Sequence, residues 1–120
     1  MLSGDGADFP KQARLRKRPE FLSLSRWGKK IYAPHFLIFT RLNERGEARL
    51  GVTVSSKIGN AVVRNRVKRL LRECFRRYRR QIVPGRDVLI IARKSAVNMS
   101  WREVETEIRD ILIESGGRTK

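Results

Sequence analysis

Residues 59–80, GNAVVRNRVKRLLRECFRRYRR, decide the fold, because they read as one long amphipathic helix set between two strand-like segments. Val63, Val67, Leu70, Leu71, Cys74 and Tyr78 recur at i, i+4, i+7, i+8, i+11 and i+15, with Phe75 beside them. That is the spacing of a helix with one buried stripe. Asn60 is placed to cap it, since an Asn side-chain oxygen accepts from first-turn N–H groups. The opposite arc carries Asn65, Arg66, Lys68, Arg69, Arg72, Arg76, Arg77, Arg79 and Arg80, with Arg64 on the border next to Phe75. From Lys57 to Arg80 there are ten basic residues and one acid, Glu73. A solvated face usually mixes signs and pairs Glu with Lys or Arg at i, i+4. This face repels itself and costs stability unless a polyanion neutralises it. Its preference for Arg favours planar, bidentate phosphate contact.

Outward from the helix, residues 49–55 put Leu50, Val52 and Val54 on one face of a strand and Gly51, Thr53 and Ser55 on the other, part of which is expected to stay open. On the far side, Pro84-Gly85 breaks the helix, and residues 88–92, VLIIA, form a continuously apolar run. Such a run fits a central strand buried on both faces. Strand, crossover helix and strand in sequence predict a parallel pair from Val52/Val54 to Leu89/Ile91. Further out, residues 36–42, FLIFTRL, alternate: Phe36, Ile38 and Thr40 point one way, Leu37, Phe39 and Arg41 the other. Residues 43–46 are read as a hairpin joining this strand to 49–55. A further short strand is expected near Ile31 and Tyr32.

A first helix starts at Pro19, takes its apolar side from Phe21, Leu22, Leu24 and Trp27, and stops at Gly28. A last helix starts at Ser100, where Ser100 and Glu103 make a capping box and Met99 with Val104 a hydrophobic staple. Trp101, Val104, Ile108, Ile111 and Leu112 form its stripe, while Glu103, Glu105, Glu107 and Asp110 form an acidic outer face. The fold class is therefore α+β: a small mixed sheet of about four strands, in the order α-β-β-(β)-α-β-α. Residues 1–13 are expected to be a mobile extension, 14–114 a single α+β domain beginning with the basic arm RLRKR, and 115–120 a frayed tail.

The chain has 120 residues and a formal net charge of +16, with a pI near 11.4. This is the electrostatic footprint of a nucleic-acid binder. No apolar run approaches the length of a membrane span, and no secretory signal is visible. The basic helix also has strands and a second helix to cover its apolar stripe, which argues against a membrane surface. One cysteine cannot form an intramolecular disulfide, which fits a reducing, cytoplasmic setting. Cys74 reads as a buried structural thiol. His35 is the sole histidine and has no evident partner. Nothing gives metal-ligand spacing, a nucleophile–base set, clustered carboxylates or a glycine-rich phosphate loop. Any reaction this chain joins takes its reactive groups from elsewhere, and neither a catalytic residue nor a metal ligand is assigned.

Single strands are held by stacking bases on aromatic faces within a basic groove. Phe36 is expected in the core. Phe21 and Phe39 either join it or line a groove between the first helix and the sheet.

Residues 57–72, KIGNAVVRNRVKRLLR, resemble the signature of the protein subunit of bacterial ribonuclease P, with its RNR motif at Arg64-Asn65-Arg66. The likeness extends to the basic arm and Phe21, to residues 36–40, to LGVTVSSK at 50–57 and to DVLIIARK at 87–94, and covers roughly residues 14–113. The resemblance implies a helix, three strands, a helix, a strand and a helix, with a left-handed crossover through the basic helix, against the usual rule. It implies a ribonucleoprotein that removes the 5′ leader of precursor tRNA, with the catalytic centre and its Mg²⁺ in the RNA subunit and no cofactor bound by the protein alone. The implied partners are ribonuclease P RNA and precursor tRNA with its leader. Carried over by position, Arg64, Asn65, Arg66, Lys68, Arg69, Arg72, Lys57, Asn60, Arg93 and Lys94 would meet RNA. Phe21, Leu37 and Phe39 would line the leader groove. Ser25 stands on the groove's helix wall where relatives often carry a second aromatic, so either Trp27 or Leu24 compensates or leader stacking is weaker here. Two other readings compete: a structural RNA-binding protein of ribosomal type, and a self-sufficient nuclease.

Overall fold

The computed structural model describes residues 13–15, 18–82 and 85–117; of the extension read above at 1–13 only Ala13 is described, and of the tail read at 115–120 residues 118–120 lie outside while 115–117 continue the last helix. In chain order the elements are α1 (Arg18–Trp27), β1 (Lys29–Tyr32), β2 (Phe36–Leu42), β3 (Arg49–Thr53), α2 (Ala61–Tyr78), β4 (Arg86–Ala92) and α3 (Trp101–Gly117). The strands form one sheet in the order β1-β2-β4-β3. β4 runs antiparallel to β2 and parallel to β3, with Val52 opposite Ile90 and Leu37 opposite Ile91. The α+β class, the short strand at Ile31–Tyr32 and the parallel pair through the basic helix are all as the sequence predicts. β3 ends at Thr53, two residues before the expected Ser55.

The hairpin expected at residues 43–46 is not one. β4 lies between β2 and β3. Its continuous apolar run needs a strand on each side, so the connection climbs over the start of β4 instead. The Asn43 amide donates to the Gly85 carbonyl at 3.2 Å, and Asn43 Nδ2 donates to Asp87 Oδ1 at 2.9 Å and to the Glu47 carbonyl at 2.8 Å. A Cβ on Gly85 would lie 2.6 Å from the Glu47 amide nitrogen, so only glycine lets the connection pass this close. Glu44 and Gly46 turn the chain at φ 59° and 83°.

One face of the sheet is closed by α2 and α3. Phe36, Ile38, Leu50, Val88 and Ile90 meet Val67, Leu71, Cys74 and Phe75 of α2 and Val104, Ile108 and Leu112 of α3 in a single cluster. The α2 stripe is the expected one, with Phe75 fully buried within it rather than beside it. Asn60 caps α2 by accepting from the Val63 amide at 3.0 Å. Ser100 and Glu103 form the predicted reciprocal box at 3.2 and 2.8 Å. The acidic outer face of α3 is only partly free. Glu105 accepts the Tyr78 hydroxyl. Glu107 accepts the His35 amide at 2.7 Å and faces His35 Nδ1 at 2.6 Å. His35 therefore has a partner, and this pair fastens the β1–β2 turn to α3.

On α1, Leu24 is buried, but Leu22 and Trp27 are 54% and 70% exposed. The expected apolar side is narrower than its composition suggests, because ten residues in a short helix present only a few side chains to a flat sheet. The basic arm is not wholly solvated either. Arg14 bridges to Leu50, the Leu15 amide donates to the Leu50 carbonyl at 2.9 Å, and Ala13 and Leu15 are buried.

Candidate nucleic-acid interface

The strand register sorts the α1 side of the sheet into three rows. Arg41, Asp87 and Arg49 make the first. Arg49 donates to Asp87 at 2.9 and 2.8 Å and to Glu20 of α1 at 3.2 Å. These contacts tie α1, β3 and β4 through a largely buried charge network, which satisfies the 7%-exposed Asp87. The middle row is Lys30, Phe39, Leu89 and Gly51. Leu15 and Leu24 bury Phe39 and Leu89 there, with Phe21 packed against the group. A Cβ on Gly51 would come within 3.0 Å of the Phe21 ring and 3.1 Å of Leu15, so the missing side chain lets Phe21 pack directly against β3. The last row is Tyr32, Leu37, Ile91 and Thr53. No residue of this row is fully buried. α1 covers two rows and leaves the third as a shallow floor.

The expected groove residues fall at the boundary of cover and floor. Phe39 is 6% exposed, so it is chiefly packing. Phe21 and Leu37 are half-buried and border the open row. The Ser25 hydroxyl donates to the Leu22 carbonyl at 3.1 Å on the exposed side of α1. Leu24 is buried, so it offers no groove surface, and Trp27 stands outside the packed cluster.

The cationic residues gather along α2 and its two approaches. Arg64 Nε donates to the Gly59 carbonyl at 3.1 Å. Arg66 donates from both terminal nitrogens, to Val97 at 3.1 Å and Met99 at 2.8 Å. Each guanidinium has five N–H donors, so both keep donors in reserve while backbone carbonyls fix their direction. Arg66 also joins α2 to the 3-10 segment Lys94–Asn98, which follows Arg93 directly in the chain. Asn65, Arg69 and Arg72 are exposed, and Lys68 is half-buried. The Arg72 guanidinium is held below its ordinary value first by partial desolvation and only second by the nearby positive charge of Arg14. Lys57 sits in the turn ahead of α2, its amide held by Ser55 Oγ at 3.1 Å. The Asn60 oxygen is spent on the cap, and its amide nitrogen takes no part in it.

Sequence reasoning missed Tyr32 and Lys30. Lys30 Nζ lies 5.5 Å from the Tyr32 ring centre and 5.6 Å from that of Phe39, and Arg93 Cζ lies 6.0 Å from Tyr32. The signal was an aromatic two positions from a lysine in a short edge strand, legible only once the register is known. Among the described residues no group of three or more His, Cys, Asp or Glu is placed to hold a metal ion. No helix among them is long and apolar enough to cross a membrane. A cavity of about 680 Å³ opens elsewhere, between the β1–β2 turn and α3 around His35 and Glu107; Tyr32 borders it, but none of the expected RNA-facing residues does.

A basic helix pinned beside a half-open sheet face defines a small α+β protein built to meet a polyanion. A family model described as Ribonuclease P matches residues 9–115. The ribonuclease P protein component of Geobacter sp. (strain M21) is 41% identical over 102 residues, which is 85% of this chain and 87% of the relative. The ribonuclease P protein of Thermotoga maritima superposes with a TM-score of 0.77 at 34% identity, covering 83% of this chain and 94% of that one. That of Staphylococcus aureus gives 0.75 at 31%, covering 83% and 92%. The chain belongs to the ribonuclease P protein family, the protein subunit of the ribonucleoprotein that processes the 5′ end of tRNA.

Proposed function

We propose that this chain binds ribonuclease P RNA through α2 and its approaches and holds the single-stranded 5′ leader of precursor tRNA on the open row of the sheet, so that the RNA subunit cleaves the leader off. The observation that carries this reading is the adjacency of the two surfaces. Thr53 ends the open row, and Lys57, Asn60 and the Arg64-Asn65-Arg66 motif follow it directly in the chain. Arg93 and Lys94 follow β4 directly. A strand leaving the basic helix therefore meets Leu37, Ile91 and the edge of Phe21 next.

The division of labour follows from the chemistry present. Arg and Lys neutralise phosphates and release counterions, which raises affinity without reading sequence. Half-buried apolar and aromatic groups offer stacking surface for unpaired bases. The bond is broken in the RNA subunit, which also holds the required Mg²⁺. The protein raises substrate affinity and lowers the Mg²⁺ needed, working in the cytoplasm.

The test is processing of a 5′-labelled precursor tRNA at low Mg²⁺, with protein alone, with a bacterial ribonuclease P RNA alone and with both. One intact leader should be released efficiently only with both, and affinity for precursor over mature tRNA should grow with the leader. Tight RNA binding without either effect would move the chain to the structural, ribosomal-type reading. Cleavage by repurified protein alone would place an active site in the protein. Arg64→Ala and Arg66→Ala should each flatten the log–log salt dependence of RNA binding by about 0.7–0.9 per lost phosphate contact. An unchanged slope removes that side chain from the interface.

A further inference from the structure

The open row does not end at Leu37. It continues onto β1, where Tyr32 pairs with Leu37. Tyr32 is 69% exposed, unusual for a large ring at the edge of an otherwise well-packed sheet. Its neighbour on the other face of β1, Ile31, packs into the closed core, so the alternation of the strand puts Tyr32 on the α1 side with Phe39 and Leu37. Two cations approach its ring. Lys30 comes from the same strand and reaches both Tyr32 and Phe39. Arg93 comes from the end of β4, held in place because its own amide donates to the His35 carbonyl at 3.0 Å.

We propose that Tyr32, flanked by Lys30 and Arg93, is a separate subsite at the β1 edge of the sheet that stacks one unpaired nucleobase of an RNA strand already lying on the open row. This rests on the leader reading above and adds an end to the path. Three interstrand steps of ~4.8 Å separate β3 from β1, so the row spans roughly 14 Å. A short leader fills the Thr53 and Leu37 part, and only a longer one reaches Tyr32. The chemistry favours an unpaired base over other occupants. A flat, exposed ring supplies a π-face that accepts any base, and the adjoining guanidinium and ammonium supply the phosphate contacts that a base must bring with it. Tyr32 also borders the cavity lined by Ala33, Pro34, Met99 and Ile111, but the groups set over its ring are the cations Lys30 and Arg93, which suit an anionic strand better than an apolar peptide or lipid.

The experiment uses holoenzyme assembled from this chain and a bacterial ribonuclease P RNA, with precursor tRNAs carrying a graded series of leader lengths. Wild type, Tyr32→Ala and Tyr32→Phe are compared for precursor affinity, with thermal melting of each free protein alongside. Tyr32→Ala should lose roughly five- to tenfold in affinity, the lower end of what one stacked base contributes, and only beyond a threshold leader length. Tyr32→Phe should restore it, because phenyl retains the stacking face. A 2-aminopurine placed at the threshold position should be quenched by wild type and by Tyr32→Phe and not by Tyr32→Ala. If wild type gains with leader length while Tyr32→Ala follows it at every length, the subsite is wrong and the leader reading stands. If wild type gains nothing from any leader, the leader reading itself fails. An equal loss with every leader and with mature tRNA would assign Tyr32 to the catalytic RNA or to folding, and would overturn the subsite.

Discussion

On the face that α2 and α3 cover, Phe36, Ile38, Leu50, Val88 and Ile90 are at most 2% exposed. On the α1 face the same strands keep Leu37, Ile91 and Thr53 half-open, and the charged pair Arg49–Asp87 takes the place of apolar packing at one end. The closed face faces helices of 18 and 17 residues, the other a helix of ten. At 1.5 Å rise per residue, the last is only about 15 Å long. Stability resides in the closed face. The α1 face gives up some burial and gains an apolar floor beside a cationic helix. Since a stacking surface cannot also be fully buried, the proposed leader path and the main packing fall on opposite sides of one sheet.

The largest effect expected concerns the closed face. Burial pushes the Cys74 thiol up to about 12. Against an ordinary thiol at 9.0, the reactive thiolate is scarcer by roughly a thousandfold, before any loss of access. Alkylation at mildly alkaline pH should therefore be fast in urea and nearly absent in the native protein. Comparable rates in the two states would mean the α2–sheet interface admits solvent and the contrast between the faces is false.

Truncation of aromatics measures the same contrast as free energy. Phe36→Ala, fully buried, should cost about 3–5 kcal/mol of stability, with the RNA affinity of the molecules that remain folded unchanged. Phe39→Ala, across the sheet, should show a mixed result: loss of melting temperature from its packed body, and about 1–3 kcal/mol of leader affinity if a base reaches its edge. Loss of stability alone would make Phe39 core, and the groove would then rest on Phe21 and Leu37. Leu37→Ala should cost about 1–2 kcal/mol in chemical denaturation, less than a fully buried leucine, because part of its side chain is already exposed. A larger loss would show that the open row is covered in solution.

Periodicity carried most of the fold. A 3.6-residue stripe, a period-2 strand and a continuously apolar strand are local patterns, and each formed where the sequence placed it. The cationic residues of α2 were equally legible, since a run of ten basic residues against one acid needs no tertiary context. What failed depended on partners distant in the chain. The 43–46 connection has turn residues either way; only the insertion of β4 between its neighbours shows that it is no hairpin. His35 finds Glu107 seventy-two residues on, and Asp87 finds Arg49 thirty-eight residues back. Ser25 and Leu24 were both candidates for the groove wall until the rotation of α1 sent one outward and the other into the core. Tyr32 escaped notice because a four-residue edge strand has too little pattern to reveal which face a side chain takes.

The smallest effect expected lies on neither face of the sheet but on the outward side of α2, and it separates surface charge from both. Glu73 is the lone acid there, paired with Arg76 at 2.6 Å and Arg77 at 3.5 Å. The hydrogen bond from Arg76, then the charges of Arg76 and Arg77, hold its carboxyl below the ordinary 4.5 against partial desolvation. A depressed carboxylate contributes stability that is fully present above its unfolded value and is lost as pH falls through its folded one. Its signature therefore belongs below about pH 4.5 and is absent at neutrality. The pair is partly exposed and screened, so Glu73→Gln should cost about 0.5 kcal/mol or less at neutral pH. The same substitution removes the one negative charge from the face proposed to meet phosphate, so RNA affinity should rise slightly at low salt, with the gain fading as salt screens it. A gain in stability together with a loss of RNA affinity would mean that Glu73 orients Arg76 toward RNA rather than relieving repulsion along the helix, and the outward face of α2 would then be a built site rather than a field of charge.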